Sequence, residues 1–475
     1  MNKARVATLL QTSPTFLRTI LPYLALLALI YMVGWAVVFM PAMRVLALVG
    51  GGLGAVLWLL YPEISVYLLV LLFPFTFLFA VGPLNDIRPQ DALLAVMMVT
   101  AGATALSGRR ETDFLRGAAP KALFALWLFV IVWDSIAFLH GPANQWLLRD
   151  PIRNTWYLYK DIWRDLFTFV VVACFLRERH PTRHLLTALQ VAATVIAVWG
   201  IWQTVTTGER AIGPFKHQPN QLAAVLILII PYMMSRLLLE SGWRQRLLIG
   251  FSLLVMLRAL WFTGSRGGFV ACVVSFWPLA VMLPRKRLMA GALAGIIGLA
   301  VVLAAKPDIM NRPVVQRYLT LTRPDELHTL EWRKEQWRHF MRRIGERPLL
   351  GTGSPVDHSI DTGDQLQTAH NAYLGFALRS GVPIAIAWVC ILALAAAIAI
   401  RRGLTSARGE ERVFWIGTMG FVTALAVHAM NETALLTSQV QQLFWIIMAF
   451  VVVHILPRRP HASRGDAMTP EPACR

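Results

Sequence analysis

The sequence predicts an all-α, polytopic integral membrane protein with about fourteen transmembrane helices or, in an alternative count, about twelve. Hydrophobic residues make up 56% of the 475 residues, and charged residues only 15%. A soluble protein of this length needs more charge to cover its surface, whereas a membrane lets apolar side chains face lipid. The apolar residues form continuous runs and not the alternating pattern of about ten residues per strand that a transmembrane β-barrel needs.

The predicted helices are apolar runs of roughly twenty residues, the length that crosses a hydrocarbon core of ~30 Å. Several runs are short, and those around 43–82 could merge or lie re-entrant, which gives the lower helix count. The runs are 20–40, 43–61, 64–82, 92–107, 120–139, 162–176, 185–203, 220–240, 247–262, 267–283, 288–305, 371–400, 413–430 and 438–456.

These runs predict five segments along the chain. A cytoplasmic N-terminal tail (1–19) precedes transmembrane helices 1–11 (20–305), a large periplasmic loop (306–369), helices 12–14 (370–456) and a cytoplasmic C-terminal tail (457–475). Basic residues precede a long first run without a small-residue cleavage site, which indicates a signal anchor and not a cleaved signal peptide. The four cysteines lie in runs or in the C-terminal tail, so neither a disulfide framework nor a cysteine metal site is predicted.

Basic residues predict the orientation of the helices. Alternate short loops carry clusters of arginine and lysine, and the positive-inside rule assigns these loops and both termini to the cytoplasm. The clusters are Arg109, Arg110, Arg116 and Lys121; Arg177, Arg179 and Arg183; Arg236, Arg244 and Arg246; Arg285, Lys286 and Arg287; and Arg401, Arg402, Arg408 and Arg412. The long loop and the other connections are therefore expected outside.

Basic residues on the predicted external side need a separate explanation. Anionic lipid headgroups attract each such charge by about 1 kcal/mol near the surface. An anionic substrate such as a lipid-linked diphosphate is the alternative, and charge alone does not separate the two. The isoelectric point of 10.6 would suit nucleic acid, but no nucleic-acid partner is expected outside the cytoplasm.

Two external segments precede the middle of the chain. Residues 140–165 interleave Trp and Tyr with Arg and Lys, a pattern that favours a membrane-surface anchor over direct substrate binding. In 208–220, Gly and Pro end one helix and Asn220 is predicted to cap the next. Arg210 and Lys216 lie just ahead of that helix start, where free N–H groups suit phosphate oxygens. A plain helix–turn–helix connection is the alternative for this segment.

The third segment, 258–268, contains two arginines. Arg258 falls within an apolar run, where an unpaired charge costs at least ~2.5 kcal/mol. Arg266 lies at the external boundary, beside glycines that allow a ligand or another backbone to approach closely. Because a guanidinium binds phosphate oxygens in a bidentate manner, anion binding is favoured for Arg266 over a role as a membrane anchor, whereas the two roles are not separated for Arg258.

The long loop contains a predicted amphipathic helix, ELHTLEWRKEQWRHFMRRIGERP, that ends near Gly345 and Pro348. Its apolar stripe comprises Leu330, Trp337, Phe340 or Met341, and Ile344 at helical spacing. Arg333 lies beside this stripe and not on the solvated face. A Gly-rich turn, LLGTGS, follows at 349–354.

His370 and Asn371 open the next apolar run, with Tyr373 one turn along. A neutral imidazole can accept a proton from an alcohol, which makes His370 a candidate general base. A structural role at the helix start is the alternative. Glu432, in the external turn HAMNETALL (428–436), is a further candidate contributor.

Taken in order, these segments resemble the superfamily of O-antigen ligases and polysaccharide polymerases of bacterial inner membranes. The resemblance covers roughly residues 200–400. The remaining apolar runs match the superfamily only in hydropathy. The motifs are Gly-Pro-x-x-x-x-Pro-Asn (213–220), Thr-Gly-Ser-Arg-Gly-Gly (263–268), Arg333-x-x-x-Trp337, Pro-Leu-Leu-Gly-Thr-Gly (348–353) and His370-Asn371-x-Tyr373-Leu374.

The resemblance implies a GT-C-like glycosyltransferase that works at the periplasmic face. Its donor would be O-polysaccharide on undecaprenyl diphosphate, and its acceptor a sugar hydroxyl of the lipid A–core oligosaccharide. The motifs assign diphosphate binding to Arg266 and Arg333 and catalysis to His370. Arg210 and Lys216 join the diphosphate site by proximity alone. Arg258, Asn220, Asn371 and Tyr373 are expected to support the site.

The implied chemistry is a direct displacement that inverts the anomeric centre. The leaving group is already a tolerable anion, and guanidinium groups can stabilise its developing charge without metal. No external Asp-x-Asp pair or His/Asp cluster resembles a metal site, so neither metal nor cofactor is predicted.

Three other functions remain open from the sequence. An O-antigen polymerase uses the same donor with a lipid-linked glycan as acceptor, and a protein O-oligosaccharyltransferase transfers the glycan to protein. We favour the ligase because one long loop near the C-terminal third carries the matched motifs. A lipid flippase or transporter would need internal repeats and charged or broken helices near the bilayer midplane. Asp134 and Arg258 are the residues that favour this last alternative.

Overall fold

The computed structural model describes most of the chain from residue 62 to residue 455. The described residues are 62–75, 89–106, 117–140, 162–176, 182–215, 218–240, 242–283, 328–353, 359–361, 366–406 and 409–455. The predicted runs 20–40, 43–61 and 288–305 lie outside these residues, as does Lys216.

Helices form nearly all of the described structure. In chain order they are α1 Pro62–Leu72, followed by a 3-10 turn Phe73–Phe75, α2 Pro89–Leu106, α3 Ala118–His140, α4 Arg164–Phe175, α5 Thr182–Thr207, α6 Pro219–Leu239, α7 Trp243–Thr263, α8 Arg266–Val274 and α9 Trp277–Met282. Then come α10 His328–Glu346, α11 Ala372–Ser380, α12 Val382–Thr405, α13 Glu410–Ala429, a 3-10 turn Ala434–Leu436, and α14 Ser438–Ile455.

Seven of the described helices, α3, α5, α6, α7, α12, α13 and α14, are long and apolar enough to cross a membrane. The predicted class, a polytopic α-helical membrane protein, is therefore confirmed. The total of about fourteen or twelve helices, the GT-C-like architecture, the five segments and the periplasmic loop stay predictions. The all-α prediction omits one antiparallel hairpin, in which β1 Ser359–Asp361 pairs with β2 Leu366–Thr368.

The single run predicted at 371–400 is wrong, because it forms two helices that break at Gly381. The φ of Gly381 is 92°, a left-handed conformation that favours glycine. A Cβ at this position would overlap the carbonyl oxygen of Leu349, so glycine also allows the close approach of a second backbone. The amide of Val382 donates to the Pro348 carbonyl at 2.8 Å. The run 267–283 likewise divides into α8 and α9.

Helices α6, α13 and α14 form the centre of the bundle and are buried along most of their length. Gly417 and Gly420 of α13 lie against Tyr232 and Pro231 of α6, so these two helices pack closely. Helices α3 and α7 are peripheral and expose large apolar side chains such as Val132. Exposed apolar surface of this kind suits contact with lipid.

The helix ends meet in two groups, at opposite ends of the bundle. One group, here called the site end, joins the connection after α5, the turn between α7 and α8, the start of α11 and the turn after α13. At the other end, Thr182 bonds His454 at 2.7 Å, and Arg412 donates to the Met282 carbonyl at 2.7 Å. This grouping agrees with the alternation predicted from the basic loops, whereas the assignment of one end to the periplasm stays a prediction.

Candidate functional site

The turn between α7 and α8 is built from the Thr-Gly-Ser-Arg-Gly-Gly motif. Gly264 ends α7 in a left-handed conformation with φ 59°, and Ser265 caps α8 by accepting a hydrogen bond from the Gly268 amide at 3.3 Å. Arg266 is the half-buried first residue of α8. A Cβ on Gly267 would lie 3.3 Å from the Cβ of Asn431, so this turn packs against the turn after α13.

Arg210 ties the connection after α5 to this turn. Its Nε donates to the Thr263 carbonyl at 2.6 Å, and its Nη2 lies 3.5 Å from Oδ1 of Asn220. The side-chain Nδ2 of Asn220 in turn donates to Oε1 of Glu432 at 2.8 Å. Arg210 is therefore connected to Glu432 through one intervening side chain.

The prediction that Asn220 caps α6 is wrong. Helix α6 begins at Pro219, and Gln218 occupies the capping position without a side-chain hydrogen bond. Proline is favoured at the first helical position because it has no N–H that needs a partner. Asn220 is thereby placed inside the first turn of α6, and its side chain contacts another segment instead of its own helix.

Helix α10 confirms the predicted amphipathic helix of the long loop. Phe340 and Ile344 are buried against α11, whereas Met341 is exposed, which decides between the two alternatives for the apolar stripe. Trp337 donates through its indole N–H to the Ala369 carbonyl at 2.9 Å. Arg333, one turn earlier, lies with its Nη2 3.5 Å from Oε1 of Glu432.

The Pro-Leu-Leu-Gly-Thr-Gly motif joins the end of α10 to the break between α11 and α12. The amide of Thr352 donates to the Leu378 carbonyl at 2.8 Å, and that of Gly353 to the Arg379 carbonyl at 2.7 Å. Trp133 of α3 donates to the Leu349 carbonyl at 3.1 Å. This motif therefore fixes the position of α10, which carries Arg333, and of α11, which follows His370.

His370 has a φ of 43°. Among the residues that the structure describes, it is the one non-glycine residue with a positive φ. Backbone strain of this kind costs about 1–3 kcal/mol and is common at functional sites. Asn371 caps α11 by accepting hydrogen bonds from the amides of Tyr373 and Leu374, at 3.0 and 3.1 Å. The ring of Trp332 lies 5.9 Å from the imidazole of His370, centroid to centroid.

Glu432 is the centre of this site. Its side chain is 12% exposed, and its Oε2 lies 3.3 Å from Nδ1 of His370 while its Oε1 faces Arg333 and Asn220. Burial raises the pKa of the Glu432 carboxyl, but the hydrogen bond with His370 and the electrostatic interactions with His428, His370 and Arg333 together outweigh burial and hold that pKa below its ordinary value. Glu432 is therefore an anion at neutral pH.

Two of the predicted supporting residues contact other parts of the molecule. Arg258 is exposed on α7, and its guanidinium carbon lies 4.1 Å from the centre of the Phe262 ring. The hydroxyl of Tyr373 donates to the Ala426 carbonyl of α13 at 3.3 Å. Tyr373 therefore connects α11 to α13, next to the site and not in contact with Glu432.

Sequence reasoning gave Glu432 too little weight. The available signal was an acidic residue in a turn predicted to be external, in a chain whose other predicted external segments are rich in arginine. Within the described residues, no group of three or more His, Cys, Asp or Glu side chains lies close enough to hold a metal ion. Metal independence stays a prediction.

The matched family is consistent with the motifs that build this site. Residues 251–389 match the family model described as O-antigen ligase, which confirms the predicted resemblance over less than a third of the chain. The matched range contains Arg266, Arg333 and His370, and it supports a function of the O-antigen ligase or polymerase type in lipopolysaccharide biosynthesis. No curated protein matched the chain.

Proposed function

We propose, from its assignment to the O-antigen ligase family, that the chain transfers O-polysaccharide from undecaprenyl diphosphate to a sugar hydroxyl of lipid A–core. The reaction would take place at the periplasmic face of the bacterial inner membrane. The observation that carries the proposal is the convergence of His370, Arg333 and Asn220 on the partly buried carboxylate of Glu432. These residues come from separate segments of the chain, so their meeting at one end of the bundle favours a built site.

The chemistry is a displacement at the anomeric carbon of the donor sugar. The acceptor oxygen forms a bond to that carbon while the bond to the diphosphate oxygen breaks, and the lipid diphosphate leaves with the electron pair. The proton of the acceptor hydroxyl passes to the imidazole of His370. Attack opposite the leaving group inverts the anomeric centre.

Arginine side chains stabilise the leaving diphosphate. Arg333 uses Nη2 toward Glu432, and a guanidinium has five N–H donors, so several remain for phosphate oxygens. Arg266 lies at the start of α8, where helix N–H groups add to its positive charge. Arg210 supports the site through Thr263 and Asn220, and Lys216 stays a weaker proposal based on its position in the sequence.

The periplasmic location is supported by the distribution of basic loops. Arg183, Arg402 and Arg412 lie at the end of the bundle opposite the site, where the positive-inside rule places the cytoplasm. A lipid-linked donor and lipid A–core would then both reach the site from the outer leaflet of the inner membrane.

A transfer assay with purified protein tests this function. We expect protein reconstituted with lipid-linked O-polysaccharide to label lipid A–core, and to label neither a second lipid-linked glycan nor an acceptor protein. Elongation of the lipid-linked glycan would favour the polymerase, and transfer to protein would favour the oligosaccharyltransferase.

The same rate of transfer is expected in the presence of EDTA. A requirement for added Mg²⁺ or Mn²⁺ would overturn the metal-free mechanism.

Replacing Arg266 by lysine is expected to raise the donor KM by about tenfold or more. Lysine keeps the charge but loses the bidentate geometry, and a charge-assisted hydrogen bond contributes about 1.5–3 kcal/mol. The measurement is initial rate against donor concentration, with Arg266→Ala as the stronger change. Arg338→Lys is the matched control, because Arg338 is exposed and donates to Glu335 at 2.8 Å. Normal donor kinetics in Arg266→Ala would remove Arg266 from the donor site.

A further inference from the structure

We infer that Glu432 is a positioning residue that fixes the tautomer of His370. The inference rests on the proposed function, since it assigns the proton acceptor of that reaction to one ring nitrogen. It adds a residue from the turn after α13, outside the family match at 251–389.

The two oxygens of Glu432 have different partners. Oε2 lies 3.3 Å from Nδ1 of His370, whereas Oε1 accepts from Asn220 at 2.8 Å and faces Arg333 at 3.5 Å. An ionised carboxylate can only accept hydrogen bonds, so the proton between Glu432 and His370 resides on Nδ1. In a neutral imidazole the other nitrogen, Nε2, then carries the lone pair and is the proton acceptor.

The carboxylate also has an electrostatic role during the reaction. His370 becomes positively charged when it takes the acceptor proton, and a partly buried carboxylate 3.3 Å from its Nδ1 stabilises that charge. The same relation holds where a buried aspartate orients the histidine of a hydrolase triad. The charged or titratable groups near Glu432 are Arg333 from α10, His370 before α11, His428 from α13, and Arg210 through Asn220.

The backbone around Glu432 explains why its position is fixed. Its amide donates to the His428 carbonyl at 2.9 Å, which continues the last turn of α13. The neighbouring Asn431 packs against Gly267 of the turn that carries Arg266. On the other side, the strained φ of His370 aims its ring at the carboxylate while Asn371 caps α11. Glu432 thus connects the residues proposed for the donor diphosphate to the residue proposed for the acceptor hydroxyl.

The test compares Glu432→Gln, Glu432→Asp and the matched control Glu346→Gln, a surface carboxylate beside Arg343. Full-length protein would be assayed with lipid-linked O-polysaccharide and lipid A–core. We expect Glu432→Gln to lower kcat by about 10²-fold or more, in line with the loss of an orienting carboxylate. Glu432→Asp should recover part of the rate, and Glu346→Gln should match the unmodified protein.

A double variant separates positioning from a general structural role. If Glu432 acts through His370, the variant with both Glu432→Gln and His370→Ala should be about as slow as His370→Ala alone, because coupled residues are not additive. Multiplied losses in the double variant would overturn the inference. A normal rate in Glu432→Gln would overturn it too, and so would poor folding of both Glu432 variants with normal specific activity in the folded fraction. Absence of transfer by the unmodified protein would instead refute the proposed function.

Discussion

Replacing His370 by alanine is expected to lower glycan transfer by about 10²–10⁴-fold, the usual contribution of a general base. The loss should fall on kcat, while donor binding and membrane insertion persist. The measurement is single-turnover transfer to lipid A–core, with donor affinity determined separately. His339→Ala is the matched control, because His339 is an exposed residue of α10 beside Glu335.

Replacements suited to the backbone of His370 separate its chemical role from a structural one. At φ 43°, glycine and asparagine are more favourable than other residues. His370→Gly should therefore fold at least as well as the unmodified protein and still fail to transfer glycan. Asparagine keeps a hydrogen-bonding side chain but cannot accept the proton at neutral pH. Transfer at the normal rate by either variant would show that His370 serves only as a turn residue.

The long apolar helices could be predicted because their positions depend on local composition. The run 120–139 appears as Ala118–His140, and 438–456 as Ser438–Ile455. Hydropathy could not predict the break at Gly381, because the mean hydropathy of a run contains no information about the Leu349 backbone that packs against this glycine. The break separates α11, the short helix that follows His370, from α12.

The motifs allow candidate site residues to be proposed from the sequence, whereas the contacts of those residues could not be predicted. The order of motifs singled out Arg266, Arg333 and His370. Glu432 contacts residues that are far away in the sequence, and no local sequence pattern predicts such a contact. The same holds for Asn220. The sequence places this residue near a helix start, but it does not predict the hydrogen bond from its side-chain amide to Glu432.

Hydropathy also could not predict that Asp134 pairs with Arg379. From the sequence, Asp134 is one of two residues that favour a transporter, because a transporter needs charged or broken helices near the bilayer midplane. In the structure its carboxylate accepts hydrogen bonds from both Arg379 and Ser380, at the end of α11. The Asp134 and Arg379 side chains are only 10% and 6% exposed. The pair thus fixes α11, with His370 at its other end, against α3.

Replacing Asp134 by alanine is expected to destabilise the folded protein by about 3–5 kcal/mol, because Arg379 would remain as a buried unpaired charge. The free energy of unfolding, measured by denaturant titration in detergent, reports the loss. The double variant Asp134→Leu with Arg379→Met removes both charges and should recover most of the stability. Glu346→Ala, which removes an exposed carboxylate beside Arg343 on α10, is the control and should leave the free energy of unfolding unchanged. If Asp134→Ala unfolds like the unmodified protein, or the double variant is less stable than the single one, the ion pair does not hold α11 in place.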